Sequence, residues 1–323
     1  MNTLRNNTVL VTGGTGFVAV HVIFKLLQEG YVVRTTLRSL SRKEELIAAL
    51  RSAGINDFDR LSFIEADLLK DENWDDAVDG ADYVLHLASP FPGKEPKDEN
   101  ELIVPARDGA LRVLKAARNA GVKRVVLTSS FAAIGYSVHE KGHVFTEEDW
   151  TDASAAIPAY IKSKTVAEKA AWEFVNTEGN GLEFVVINPV GIFGPVLGNI
   201  LSASVDVVIK GIIEGTTTIS PDLTLGVVDV RDVAGIHILA MTNAAASGQR
   251  FLAAADGVMS FYDVAQLIRK ERPERASKIA DINKTDDSFY IELSNNKAKT
   301  LLHWNPRSKE EAILASVDSL IQN

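Results

Sequence analysis

Val9-Leu10-Val11-Thr12-Gly13-Gly14-Thr15-Gly16-Phe17-Val18-Ala19 is the stretch on which the fold turns. It opens with aliphatic and β-branched residues that read as a short strand over 8–12. A glycine turn follows. A helix then starts near Gly16, because Phe17, Val20, Phe24 and Leu27 recur at spacings of three and four and share one face. Gly30 is placed to end it as the residue after the last turn. Strand, glycine turn and helix start together make a seat for a pyrophosphate, which needs backbone close by and free N–H groups at a helix N-terminus. Gly13 permits the tight turn, Gly16 withholds a side chain that would block the phosphates, and small Ala19 lets helix and strand pack closely. Glycine turns end many strands, so the spacing alone weighs little. Its place after the first strand and before an amphipathic helix makes it a dinucleotide site, with Thr12, Gly13, Thr15, Gly16, Phe17 and Val18 as the expected contacts.

Outward from this turn, short apolar runs alternate with longer helical ones, the pattern of βαβ units around a parallel sheet. Strands are expected at 31–37, 61–65, 83–87, 124–128 and 183–188, apolar enough to be covered on both faces. Helices are expected over about 99–120, kinked at Pro105, and over about 159–177. The fold class is therefore α/β, a Rossmann-type doubly wound parallel sheet. After Pro189 the rhythm changes: Gly191, Gly194, Pro195 and Gly198 mark a loop and later elements shorten. Residues 1–188 with about 217–245 are assigned to the dinucleotide-binding domain. Residues of about 189–216 and 246–323 are assigned to a smaller substrate-binding region, with a strand at 224–230 expected to rejoin the main sheet.

Across 323 residues the formal net charge is −9, which offers no general attraction to nucleic acid or an anionic membrane. The absence of cysteine removes disulfides, thiolate metal sites and a cysteine nucleophile; no metal site is expected. No apolar run approaches the roughly 18 residues that span a bilayer, and residues 1–8 are polar. A soluble cytoplasmic protein, monomer or homodimer, is the expectation.

The end of the second strand selects the nicotinamide cofactor. NAD enzymes usually place a carboxylate there for the ribose 2′-hydroxyl. This chain has Leu37-Arg38-Ser39, then Arg42 and Lys43. A guanidinium can grip a 2′-phosphate that a carboxylate would repel, so Arg38, with Lys43, points to NADP(H). Tyr160-Ile161-Lys162-Ser163-Lys164 then sets a phenol and an ammonium one helical turn apart. Reducing a carbonyl requires a proton for the developing alkoxide, and a cation beside a tyrosine favours its ionisation. Such pairs are common by chance. This one gains weight from order, because it follows Thr128-Ser129-Ser130 at a strand end, where ligands bind in such sheets.

With these motifs in view, the sequence resembles an extended short-chain dehydrogenase/reductase, most like the branch of dihydroflavonol reductases, cinnamoyl-CoA reductases and microbial aldehyde/ketone reductases. The resemblance rests on residues 11–17, Ala66-Asp67-Leu68, His86-Leu87-Ala88-Ser89-Pro90, Leu127-Thr128-Ser129-Ser130, Tyr160 with Lys164, residues 188–195, residues 227–234 and residues 302–307. It implies that Ser130, with Ser129 as fallback, bonds the substrate carbonyl. Tyr160 would donate the proton, and Lys164 would lower its pKa and bond the ribose. Asp67 and Leu68 would meet adenine, Leu87, Ala88 and Ser89 line the cofactor cleft, Thr128 approach the ribose, and Pro189 and Ile192 lie against nicotinamide. Apart from the resemblance, Phe91, Phe131 and Phe193 suggest an apolar substrate pocket, although core packing explains any one phenylalanine equally well. His86, Asp229 and Asp232 are read as structural. Gly135 stands where the plant flavonoid reductases carry an asparagine that holds the polyphenol. Phe131 and Ala132 stand where nucleotide-sugar dehydratases carry acids.

The expected activity is NADPH-dependent reduction of an aldehyde or ketone. Alternatives are an NAD-dependent hydroxysteroid or nucleotide-sugar dehydrogenase or epimerase, and a non-catalytic NADP-sensing protein.

Overall fold

The computed structural model describes residues 6–90, 96–138 and 140–320. In chain order the first half runs β1 (Thr8–Val11), α1 (Phe17–Gln28), β2 (Val32–Leu37), α2 (Lys43–Ser52), β3 (Leu61–Glu65), α3 (Trp74–Val78), β4 (Tyr83–His86), α4 (Asn100–Asn119), β5 (Arg124–Thr128), β6 (Val144–Phe145) and α5 (Ala159–Glu178). The second half runs β7 (Glu183–Pro189), β8 (Gly191–Phe193), α6 (Gly211–Ile213), β9 (Leu225–Asp229), α7 (Val230–Thr242), β10 (Arg250–Ala253), β11 (Val258–Met259), α8 (Phe261–Glu271), β12 (Glu292–Leu293), α9 (Asn296–Leu302) and α10 (Lys309–Ser319).

Seven strands form the main sheet in the order β10-β7-β5-β4-β1-β2-β3, and every neighbouring pair is parallel. Parallel strands covered on both faces should be apolar at every position, and the core shows why. Val9, Val11, Leu85, Val126, Val185 and Ile187 belong to one buried cluster, shared with Val20 and Ile23 of α1 and Val233 of α7. Their sequence neighbours Leu10, Val84, Val125, Leu127, Phe184 and Val186 belong to the other, with Val113 and Ala117 of α4 and Phe174 of α5. Successive side chains point to opposite faces of a strand, so each run feeds two hydrophobic layers. The helix from Asn100 continues through Pro105 to Asn119. Gly30, at φ 79°, closes α1 as expected.

The strand order reverses between β1 and β4. A crevice opens at the carboxyl ends of strands at such a point, and ligands of doubly wound sheets bind there.

Beyond Pro189 the structure corrects the expected topology. The strand at 224–230 forms as β9, but it pairs with β8 and β11 in a separate three-stranded sheet. The seventh strand of the main sheet is instead β10, whose last pairing is Ala253 with Pro189. Proline offers no N–H to continue a ladder, so the chain leaves the main sheet there and β8 starts a new one. β10 thus lies inside a segment assigned to the smaller region. Asp229 caps α7 and binds Arg231, at 2.6 Å between Oδ2 and Nη2. Asp232 pairs with Arg307. Both are structural. Among the described residues no helix is long and apolar enough to cross a membrane.

Candidate active site

The crevice at the reversal is floored by the glycine turn. Gly13 takes φ 74°, and a Cβ there would fall 3.0 Å from the Cβ of Ala88. The end of β1 therefore passes the end of β4 too closely for any side chain. Gly13 N donates to Thr36 Oγ1 at 3.0 Å and Gly14 N to the Thr36 carbonyl at 3.0 Å, which ties the turn to β2. Gly16 starts α1 with no side-chain cap, so first-turn amides are left for a ligand anion. The residues present fit a dinucleotide pyrophosphate.

Around this turn lies a cavity of about 430 Å³. Of the expected cofactor contacts, Gly13, Thr15, Gly16, Arg38, Asp67, Leu68, Leu87, Ala88 and Ser89 line it. Arg38 is exposed, and no hydrogen bond or ion pair among the described residues engages its guanidinium. Arg42 also lines the cavity, but Glu45 holds it by two bonds of 2.9 Å. Lys43 departs from expectation: its ammonium sits 5.0 Å from the centroid of the Phe63 ring, away from the cavity lining.

Thr12 also departs, since it is fully buried beneath the turn. Its Oγ1 accepts the N–H groups of Leu87 (3.0 Å) and Ala88 (2.9 Å), so its proton goes to Nδ1 of His86 at 2.8 Å. Thr128 is placed likewise by a histidine. His237 donates Nδ1–H to the Val233 carbonyl (2.7 Å) and faces Thr128 Oγ1 with Nε2 at 2.6 Å. His21 reaches the Pro195 carbonyl with Nε2 at 2.9 Å. Burial holds all three imidazoles far below their ordinary value, His86 at about 3 and His21 and His237 at about 4. Phe17 is buried and packs edge-on to His21 at 5.6 Å, so it can meet a ligand through its backbone only, and half-buried Val18 does not line the cavity. Pro189 and Ile192 lie at the end of β7 and in β8, outside the lining of this cavity.

Beside the cavity, the structure brings Ser130, Tyr160 and Lys164 together. Ser130 follows β5 and accepts the N–H of Ala132 at 3.1 Å, which fixes its side chain. Its hydroxyl meets the phenol of Tyr160. One turn along α5, Lys164 Nζ lies 5.6 Å from the centroid of the Tyr160 ring and donates to Ser89 Oγ at 2.8 Å. Burial pushes the phenol up to about 12, against a smaller downward pull from Ser130. This reverses the expected direction: the ammonium lies over the ring and is spent on Ser89, so burial wins. Burial also holds Lys164 down at about 8. Ser129 is directed elsewhere, onto Glu168.

The expected aromatic wall is corrected. Phe193 is fully buried and Phe131 is 8% exposed. Phe131 packs edge-on to Tyr136 and Phe145, at 5.7 and 5.5 Å between centroids. Both are core residues, because the small sheet and the turn after β5 need apolar filling where they meet the main layer. Phe91 lies outside the described residues. Thr36, Trp74, Glu101 and Pro105 line the cavity without having been expected. Only Thr36, in the second strand two residues before Arg38, had a signal in the sequence.

The crevice at the strand reversal and the hydroxyl groups gathered beside it suit a nicotinamide-dependent oxidoreductase. Residues 10–269 match the 3-beta hydroxysteroid dehydrogenase/isomerase family, and the chain belongs to that family, within the extended short-chain dehydrogenases/reductases. It is similar to a cinnamoyl-CoA reductase of Medicago truncatula, 36% identical over 326 residues that cover 97% of this chain and 95% of the relative. Among solved structures it resembles the yeast methylglyoxal/isovaleraldehyde reductase Gre2 complexed with NADPH. That likeness has a TM-score of 0.86 at 30% identity and covers 98% of each chain. Gre2 of Candida albicans in complex with NADPH is comparably similar, with a TM-score of 0.85 at 30% identity, covering 98% of this chain and 99% of that one.

Proposed function

We propose that this chain is an NADPH-dependent carbonyl reductase that converts an aldehyde or ketone to the alcohol. The observation that carries the reading is the meeting of the Ser130 and Tyr160 hydroxyls beside Lys164, at the edge of a cavity built for a dinucleotide. The cofactor is NADP(H), which supplies the hydride when bound. Arg38, exposed and without a counter-charge, receives the 2′-phosphate. Gly13, Gly16 and the first-turn amides of α1 receive the pyrophosphate.

Ser130 directs its hydroxyl to the carbonyl oxygen, beside the phenol of Tyr160. As negative charge grows on that oxygen, Tyr160 gives up its proton. A phenol held at about 12 is fully protonated at neutral pH, yet it remains a stronger acid than an alcohol, so the transfer runs toward product. The tyrosinate regains its proton from solvent. Lys164, below its value of about 8, contributes positive charge beside the developing alkoxide and a donor for the ribose. Held as the phenol at neutral pH, Tyr160 is in the form that donates a proton to the product alkoxide, which supports reduction over the oxidative hydroxysteroid reading. Flavonoid reduction also loses support. A Cβ at Gly135 would fall 2.2 Å from Cζ of Phe131, so the asparagine of those enzymes has no room.

The test is NADPH oxidation, followed by nicotinamide absorbance, against a panel of aldehydes, ketones and secondary alcohols. Turnover of several carbonyls with NADPH supports the reading. Activity confined to alcohols with NAD would overturn it.

A further inference from the structure

Ser129 and Ser130 stand side by side after β5, but only Ser130 faces Tyr160. Ser129 donates its hydroxyl proton to Oε2 of Glu168, a carboxylate whose side chain has no exposed surface. The same carboxylate receives Asn188 Nδ2 at 2.7 Å, Arg250 Nε at 2.6 Å and, more weakly, Trp172 Nε1 at 3.4 Å. Asn188 Nδ2 also reaches the carbonyl of Ser130 at 3.2 Å. Arg250 is held in turn by the carbonyls of Glu147 and Asp149 and lies 3.6 Å from the centroid of the Trp150 ring.

Glu168 sits on α5, one turn after Lys164 and two after Tyr160. One buried carboxylate therefore joins the helix that carries the phenol and the ammonium to two strand ends, through Ser129 after β5 and Asn188 in β7. A buried ion pair adds little net stability over an apolar filling of the same volume. What such a network does provide, where its members are bonded, is a single arrangement, and in this one Asn188 Oδ1 and Arg250 Nη2 are the buried atoms left without a bond among the described residues. Here that arrangement sets the Ser130 peptide from both sides, at its neighbour's hydroxyl and at its own carbonyl.

We propose that Glu168, acting through Ser129 and Asn188, is a positioning residue of the reduction, holding Ser130 in register with Tyr160. The proposal rests on the roles given above to Ser130 and Tyr160. Glu168 touches neither substrate nor cofactor. Displacing a reacting group by about an ångström costs on the order of 100-fold in rate, so the effect is expected in turnover rather than in cofactor affinity.

Removing Glu168 would strand Arg250 in the interior and test folding instead. Ser129→Ala is the sharper probe, because the Glu168–Arg250 pair survives it. We would measure kcat, KM, NADPH affinity and Tm for Ser129→Ala, Ser129→Thr, Ser130→Ala and the Ser129→Ala/Ser130→Ala double variant. Ser129→Ala is expected to lower kcat about 10- to 100-fold, with NADPH affinity and Tm little changed. Ser129→Thr, which restores the hydroxyl, should recover most of that loss. In the Ser130→Ala background, Ser129→Ala should cost nothing further, because its effect passes through Ser130. Wild-type kcat in Ser129→Ala, or losses that multiply in full in the double variant, would overturn the proposal while leaving the reductase reading intact. Unchanged kcat in Ser130→Ala alone would overturn the serine's role, and the positioning proposal with it.

Discussion

Tyr160→Phe deletes one oxygen and keeps the ring, so it isolates the proton donor. The hydroxyl is bonded to Ser130, and a bond of this kind is worth about 0.5–1.5 kcal/mol to the fold. That is small against the roughly 5–15 kcal/mol that hold a domain together, so the variant should fold and bind NADPH. Its chemistry should suffer far more. General acid catalysis contributes about 10²–10⁴-fold, or roughly 3–5 kcal/mol at 1.36 kcal/mol per decade. The pH profile adds a second signature. With the phenol at about 12, Tyr160 stays protonated across the usual assay range. The group that titrates within that range is Lys164, at about 8. Wild-type kcat/KM for reduction should therefore fall as pH rises through about 8, when the ammonium is lost. The residual activity of Tyr160→Phe should fall through the same pH. The assay is steady-state reduction of the best carbonyl from pH 6 to 10, beside NADPH titration by fluorescence. Near-full turnover in Tyr160→Phe would refute the acid assignment. An alkaline limb that vanishes with the phenol would show that Tyr160, not Lys164, titrates there.

Arg38→Ala should weaken NADPH binding by about 1.5–3 kcal/mol, the loss of a charged hydrogen bond, and leave NADH binding nearly unchanged; equal losses for both cofactors would remove the 2′-phosphate from this residue. Gly16→Val should abolish cofactor binding in a folded protein, because Gly16 has an ordinary negative φ and lines the cavity; retained affinity in a titration would move the pyrophosphate elsewhere. The lysine also bears on stability. With Lys164 at about 8 when folded and near 10.5 when unfolded, the unfolded chain binds more protons between those values, so this group's contribution rises with pH by roughly 3 kcal/mol across the window. Urea unfolding of the cofactor-free protein at pH 7.5 and 10.5 should show that rise against Lys164→Met, and parallel profiles would refute it.

Six strands of the main sheet, β1 to β5 and β7, were legible because each carries apolar side chains to both faces, as Val9, Leu10 and Val11 do for two different clusters. Ends shifted by a residue at most, with β1 stopping at Val11 so that Thr12 could turn under the glycine loop. β10 was not legible. Arg-Phe-Leu-Ala is four residues without a β-branched side chain, and only the free edge of β7 makes it a strand. Ser130, Tyr160 and Lys164 stood out by spacing and order. Phe193 and Phe131 misled, because nothing in a sequence separates a phenylalanine that walls a pocket from one that fills a core. Glu168 had a local sign, four residues after Lys164 on the same helix. Its partner Arg250 is 82 positions away and had none.

The three enclosed imidazoles carry a consequence for acid. An unfolded histidine takes up its proton near 6.5, whereas His86, His237 and His21 wait until about 3, 4 and 4 in the folded chain. As pH falls below 6.5 the unfolded state gains protons that the native state refuses, and stability drains away until the folded values are reached. Each imidazole contributes roughly 3–5 kcal/mol to that decline, so together they rival the stability of an average domain. Two of them hold Thr12 and Thr128, at the carboxyl ends of β1 and β5. Mild acidity should therefore strain the floor of the crevice directly. Denaturant midpoints should drop steeply from pH 6.5 to 4.5, and NADPH should slow the drop, since a bound cofactor stabilises only the folded form. Asn in place of His237 should flatten the curve. An enzyme built this way keeps these three histidines out of neutral-pH chemistry, and the cost is a narrow tolerance on the acid side.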